Sequence, residues 1–383
     1  MIKKQWLLLS LFSCSLCYFS NAVFGQPEKT ESRIDSVMKR FDIVGLSVAV
    51  VKKGDLIYAH SFGLKNKETN TALSNMDIFR IASISKSFSA TSIMQLVEAK
   101  KLSLNDDVSN LIGFNVRNPK YPDKVITLKM LLSHTSSLND SQGYFTLDVI
   151  NPDKNPDWAK CYSDYAPGGG YAYCNLNFNM VGTIIERVSG QRFDKYVKQH
   201  ILDPLGVYGG YEVGALDSTR FVTLYEYDSA TRQFIPDSGA YNPRTTEITH
   251  YTMGYSTPIF SPTGGMKISA IDLAKVMTMH MYLGKYKGTR IIRKKSARIM
   301  QTKVSDGEGG YGLALWTTDK LIPGEIMKGH TGSAYGLYSM MFFEPHKKFG
   351  IVAITNGCNP VYENGFVLSL KSVVNVLYEE MIK

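Results

Sequence analysis

Arg80-Ile81-Ala82-Ser83-Ile84-Ser85-Lys86 is the stretch on which the reading of this chain turns. A short apolar approach leads to Ser83, and a helical pattern follows, with Phe88, Ile93, Leu96 and Val97 facing inward and Lys100-Lys101 near its C-terminal end. A helix start offers free backbone N–H groups and a favourable dipole to a developing serine anion. Lys86 lies three residues on, on the same helical face, where a desolvated amine can act as a base. Serine is also a common helix N-cap, so this motif alone leaves nucleophile and cap both open. The other Ser-x-x-Lys match, Ser36/Lys39, lies in a charged helical stretch where both side chains are expected in solvent.

Outward from this point, the chain divides into three parts. Residues 32–41 have helical apolar spacing, and residues 45–51 and 56–62 read as strands joined by a turn at Lys53-Gly54-Asp55. Residues from about 103 to 300 mix helices, clearest at 126–132 and 180–188, with loops rich in Asn, Pro, Gly and Tyr. Strand signals return at 312–317, 335–343 and 349–355, before an amphipathic helix at 367–382. Strands at both ends around a mostly helical middle predict an α+β fold, in which N- and C-terminal segments build one antiparallel sheet flanked by helices.

Composition narrows the function classes. The 383 residues are 44% hydrophobic and 20% charged, ordinary for a globular chain. The formal charge of +9 includes Lys3 and Lys4, and the remaining basic residues are dispersed in pairs. A nucleic-acid surface would gather them, so nucleic acid is not expected as a partner, while association with an anionic cell envelope is. The seven histidines and five cysteines form no metal-ligand spacing, and neither a metal nor a cofactor is implied.

Met1-Ile2-Lys3-Lys4, an apolar stretch at 6–19 and small residues up to Gly25 read as a secretory signal over 1–25, followed by one domain over 26–383. An uncleaved anchor or lipidation at Cys14 would be alternatives, and a periplasmic or secreted location is the expectation. With Cys14 and Cys17 in the signal, Cys161, Cys174 and Cys358 remain. Such a count argues against a disulfide framework, although a Cys161–Cys174 bridge stays open.

Two further segments carry chemistry. Pro167-Gly168-Gly169-Gly170-Tyr171-Ala172-Tyr173-Cys174-Asn175 is a Gly-rich loop before a helix, placed to present Tyr173 and Asn175 into a cleft. A tyrosine beside a lysine can shuttle protons, yet most of the 23 tyrosines are expected to be packing residues. The second Tyr-x-Asn match is Tyr362-Glu363-Asn364. His330-Thr331-Gly332-Ser333 precedes the strand expected from Tyr335, where small residues let a substrate backbone pair along an edge.

Together, Ser83/Lys86, Tyr173/Asn175 and His330/Thr331/Gly332 follow in order, each in a fitting local context. The chain thereby resembles the serine β-lactamase and penicillin-binding-protein superfamily, in its class C-like branch with esterases and D-amino-acid peptidases. Ile126-Thr127-Leu128-Lys129-Met130-Leu131-Leu132-Ser133-His134-Thr135 and Pro262-Thr263-Gly264-Gly265-Met266 are similar to further segments of that family. The resemblance implies a β-lactamase/DD-peptidase-like fold and a serine hydrolase. In it Ser83 is acylated, Lys86 and Tyr173 shuttle the proton, and Asn175 bonds the substrate amide or the lysine. The N–H groups of Ser83 and Ser333 would form an oxyanion hole, and His330-Thr331-Gly332 would line the docking strand.

His330 departs from the lysine of antibiotic-hydrolysing members, which moves the expected substrate toward D-amino-acid peptides or small esters and away from β-lactams. Cys174 stands where serine is commoner and reads as a tolerated swap. An acyltransferase using the same acyl-serine, and a non-turnover penicillin-binding sensor or scaffold, are the alternatives. Gly307-Glu308-Gly309-Gly310-Tyr311-Gly312 matches Gly-x-Gly-x-x-Gly but leads into a strand, so it reads as a turn. His134, at a helix end, reads as a structural hydrogen-bonding residue.

Overall fold

The computed structural model describes residues 27–383. The expected signal and Cys14 lie outside the described residues. The central element is a seven-stranded sheet ordered Trp316–Thr318, Met327–Ala334, Leu337–Glu344, Phe349–Thr355, Gly45–Lys52, Asp55–Asn66 and Thr71–Ala72. Gly45–Lys52 pairs antiparallel with Phe349–Thr355, Val48 opposite Ala353 and Val50 opposite Ile351. The two ends of the chain thus share one sheet, as expected for an α+β fold.

Burial explains the composition of these strands. Phe349–Thr355 is buried at every residue and Gly45–Lys52 at all but its last. A strand covered on both faces reads as a continuous β-branched run rather than an alternation. One face packs on Ile34, Met38, Val373 and Val374 of the helices Pro27–Arg40 and Leu368–Leu377. The opposite face packs on Leu273, Val276 and Met277 of the helix Ala270–Met281 and joins the core of the helical middle. The hairpins turn through Lys53-Gly54 and Tyr335-Gly336, each with two positive φ angles (54° and 94°, 56° and 76°). Such a pair matches the right-handed twist of the strands it joins.

Two expected strand boundaries shift. Residues 312–315 form a bend, with Ala314 at φ 57°, and only Trp316–Thr318 is extended. The bend is held by Leu313 N–H donating to the Met300 carbonyl and Ala314 N–H donating to the Leu132 carbonyl, partners outside the sheet. Tyr335 occupies a turn, and His330-Thr331-Gly332 lies inside a strand of its own, Met327–Ala334. On the outer side of that strand, Trp316–Thr318 reaches only as far as Gly329. Residues 330–334 therefore keep an edge that no strand among the described residues covers.

Candidate active site

Ser83 sits on a 3₁₀ turn, Ala82–Ile84, immediately before the helix Ser85–Glu98. Lys100-Lys101 fall beyond the end of that helix. It is buried almost all round, including Ser85, Ser87, Ser89, Thr91 and Ser92. Some of these hydroxyls are satisfied within the helix, Thr91 Oγ1 donating to the Ser87 carbonyl at 2.7 Å and Ser92 Oγ to the Phe88 carbonyl at 3.0 Å, while Ser89 Oγ donates to the Pro262 carbonyl at 2.9 Å and Ser85 Oγ accepts from Met266 N–H at 3.0 Å. Small polar residues let neighbouring elements approach the helix from every side without leaving unpaired groups.

Ala82, just before the serine, has φ 49°, a left-handed conformation costing an L-residue roughly 1–2 kcal/mol. The turn is pinned from both sides, by Ile81 N–H donating to the Met266 carbonyl at 2.9 Å and Ser339 Oγ donating to the Ile81 carbonyl at 2.9 Å.

The three motifs converge at Lys86. Its side chain is fully buried, with Nζ 3.1 Å from Ser83 Oγ, 2.8 Å from Asn175 Oδ1 and 3.0 Å from the Thr263 carbonyl. The same nitrogen lies 4.8 Å from the centre of the Tyr173 ring. Ser83, Tyr173, Asn175, His330, Thr331, Gly332 and Ser333 all line one cleft of about 620 Å³. Every site residue expected from the sequence thus faces the same space or the lysine beneath it. Of the two partners open to Asn175, the structure gives it the lysine.

His330 is buried and neutral. Its Nδ1 lies 2.6 Å from the Thr331 carbonyl oxygen, which requires the proton there, so Nε2 accepts from Tyr311 Oη at 3.1 Å. Burial, with the nearby Lys86 charge, pushes its pKa down to about 3, slightly offset by the Thr331 carbonyl. The strand Met327–Ala334 therefore carries no cation at this position at neutral pH. His134 is a structural residue, accepting at Nδ1 from Cys174 N–H at 3.2 Å and packing on the Tyr173 ring at 4.3 Å. Burial first, then the Lys86 charge, holds it well below the usual histidine range.

Two supports were not legible locally. Asp140 caps the helix Asn175–Ser189, accepting from Asn175 N–H at 2.8 Å, Asn175 Nδ2 at 3.0 Å and Leu176 N–H at 3.0 Å. It comes from 35 residues upstream, so no capping motif announces it. Thr263 adds its hydroxyl to Asn175 Oδ1 at 2.8 Å, beside the lysine it meets through its carbonyl. It lay within a segment noted for resemblance, with no chemical signal of its own.

Cys161 and Cys174 are both free and buried. The bridge left open by the sequence is not formed, because Cys161 Sγ turns to the Val149 carbonyl at 3.3 Å and Cys174 Sγ to Asp140 at 3.2 Å. Burial and Asp140 hold the Cys174 thiol well above its usual range, so it stays protonated. Of the remaining decoys, Ser36 bonds its own helix at the Ser32 carbonyl and Tyr362 is 59% exposed. Gly307–Gly309 is a 3₁₀ turn that opens no helix. Among the described residues, no cluster of His, Cys, Asp and Glu is spaced to hold a metal ion.

Comparison with known proteins agrees with this geometry. The family model described as Beta-lactamase matches residues 30–365. Penicillin-binding protein 4 of Amycolatopsis lactamdurans is 27% identical over 343 residues, 85% of this chain and 84% of that one. The octameric penicillin-binding protein homologue from Pyrococcus abyssi superposes with a TM-score of 0.72 at 27% identity, covering 92% of this chain and 79% of that one. EstCE1, a hydrolase with promiscuous acyltransferase activity, superposes with a TM-score of 0.71 at 20% identity, covering 92% and 99%. With the family model spanning most of its length and a serine–lysine pair at the base of its cleft, this chain belongs to the Beta-lactamase family and is a serine hydrolase.

Proposed function

We propose that the protein is an exported hydrolase that acts on an amide or ester through an acyl-Ser83 intermediate. The observation that carries this reading is the 3.1 Å approach of Lys86 Nζ to Ser83 Oγ at the floor of the cleft. Ser83 Oγ bonds to the substrate carbonyl carbon while its proton passes to the Lys86/Tyr173 pair. The carbonyl oxygen takes up negative charge, stabilised by the N–H groups of Ser83 and Ser333. Collapse breaks the bond to the leaving nitrogen or oxygen, which receives the proton. Water then attacks the ester carbon, gives up a proton by the same route, and releases the acid and Ser83.

The cleft wall supports a preference for acyl groups with an apolar or aromatic flank. Tyr144, Phe145 and Tyr335 line it, and Phe145 is 64% exposed at its surface. A neutral His330 offers nothing to a substrate carboxylate, which favours D-amino-acid amides and small esters over β-lactams. A second reading is acyl transfer, which differs only in the acceptor and is supported by the promiscuous acyltransferase activity in the description of EstCE1. Export is supported by the basic start and the apolar stretch at 6–19. Among the described residues, no helix is long and apolar enough to cross a membrane.

Intact-protein mass spectrometry with D-alanyl amides, acyl esters and β-lactams tests this. A transient acyl adduct that is absent from Ser83→Ala is expected, and an adduct that persists in that variant would remove Ser83 as nucleophile. Adding a primary alcohol and analysing the products separates hydrolysis from transfer. The N-terminal mass of protein recovered from the envelope fraction tests export.

A further inference from the structure

Beside the catalytic cleft lies a second, smaller cavity of about 30 Å³ whose charges are unbalanced. Two short strands, Phe79–Arg80 and Lys267–Ile268, pair there with Arg80 directly opposite Lys267. Cross-strand neighbours share a face, and like charges so placed repel. Both side chains line the cavity, and Arg244 lines it as well. Lys267 is only 4% exposed, yet among the described residues its Nζ makes one hydrogen bond, to the Tyr211 carbonyl at 2.8 Å.

Arg80 spends Nε on the Gly264 carbonyl at 2.9 Å, with longer contacts to the Ala240 carbonyl and Ser261 Oγ at 3.5 and 3.3 Å. Among the described residues neither cation has a carboxylate partner. Glu212 lines the same cavity but is engaged by Arg192 at 2.6 Å and Lys195 at 2.7 Å.

A buried cation without a counterion is costly. Burial, with the charges of Arg80 and Arg244, pulls the Lys267 ammonium well below its usual range. An anion in the cavity would reverse that penalty. The volume is about two water-sized spheres, enough for a monatomic ion and too small for the chain of an acyl substrate.

We propose that this cavity is a binding site for a small inorganic monoanion of the halide class, held between the Lys267 ammonium and the Arg80 guanidinium. Nothing in the hydrolytic reaction calls for it. Its reach to the active site runs through Arg80, which lies three residues before Ser83 and stacks 4.8 Å over the Tyr335 ring at the cleft wall. A filled site fixes that guanidinium and with it the aromatic side of the cleft.

The test uses the full protein, prepared in sodium gluconate, whose anion is too large to enter. Crystals soaked in sodium bromide are expected to show an anomalous peak between Arg80 and Lys267. In solution, bromide should raise Tm by about 2 °C or more over gluconate at equal ionic strength. Lys267→Met, in which no ammonium faces Arg80, should lose both effects. Absence of the peak in wild-type crystals overturns the site, because it means that Lys267 is a neutral amine facing water. A Tm rise that persists undiminished in Lys267→Met also overturns it.

Discussion

A Cβ on Gly332 would stand 2.2 Å from the carbonyl oxygen of Ile81, and 2.4 Å from Ser339 Oγ. The strand Met327–Ala334 and the turn that carries Ser83 thus meet through a residue with no side chain. Gly332→Ala must push the strand away from the turn that carries Ser83, at a cost of about 1–3 kcal/mol in overpacking. Displacing the serine by about an ångström should lower kcat/KM by up to about 100-fold. Parallel measurement of turnover and urea midpoint checks this, and an unimpaired rate would refute the contact.

Asp140 holds Asn175 by both its backbone and its side chain, and Asn175 in turn holds Lys86. Asp140→Ala should cost about 1–2 kcal/mol through the lost helix cap. It should also lower kcat by roughly tenfold or more while leaving KM near its original value, because the lysine rather than the substrate is released. A variant that loses stability alone would make Asp140 a cap and nothing more.

Replacing His330 by lysine restores a cation on the strand beside the cleft. A charge-assisted bond to a substrate carboxylate is worth about 1.5–3 kcal/mol, so His330→Lys should acylate with carboxylate-bearing β-lactams roughly tenfold faster or better. Neutral esters should gain nothing. Adduct formation followed by mass spectrometry for both classes reads the difference, and equal gains for both would show that charge is not the reason for the histidine.

Acid should unfold this protein through its buried histidines. Burial pushes His280 down to about 4, and burial with the Lys86 charge pushes His330 to about 3, against about 6.5 in an unfolded chain. The unfolded state therefore takes up protons first. Stability is full above about pH 6.5 and falls toward pH 4, by about 1.4 kcal/mol per pH unit for each group. His280 offers the cleaner check, since both its ring nitrogens are buried without a partner among the described residues. His280→Leu should flatten the dependence of the urea midpoint on pH and be more stable than wild type at pH 5. An unchanged slope would contradict the burial of a neutral ring.

The fold was legible because its strands are covered on both faces: an apolar run such as 349–355 has few other uses in a chain of this size. The candidate catalytic residues were legible only as a set. Ser83/Lys86 has a twin in Ser36/Lys39, and Tyr173-x-Asn175 a twin in Tyr362-x-Asn364; order and context separated them. What escaped depends on contacts between distant residues. Asp140 caps a helix from far upstream, and the Thr263 carbonyl meets Lys86 across 177 residues. The bend at 312–315 was misread as strand because its partners, Met300 and Leu132, lie outside the sheet. The Arg80–Lys267 pairing likewise exists only once the two short strands are aligned.

The pairing of Gly45–Lys52 with Phe349–Thr355 also sets a timetable for synthesis. The strand made near the start has an open hydrogen-bonding edge until some three hundred further residues have been added. Contacts so distant close slowly, and the interim chain exposes an apolar edge that invites mispairing. A polypeptide of this design cannot finish folding while it emerges from the ribosome. The sheet is locked only when Phe349–Thr355 has been made and laid beside Gly45–Lys52.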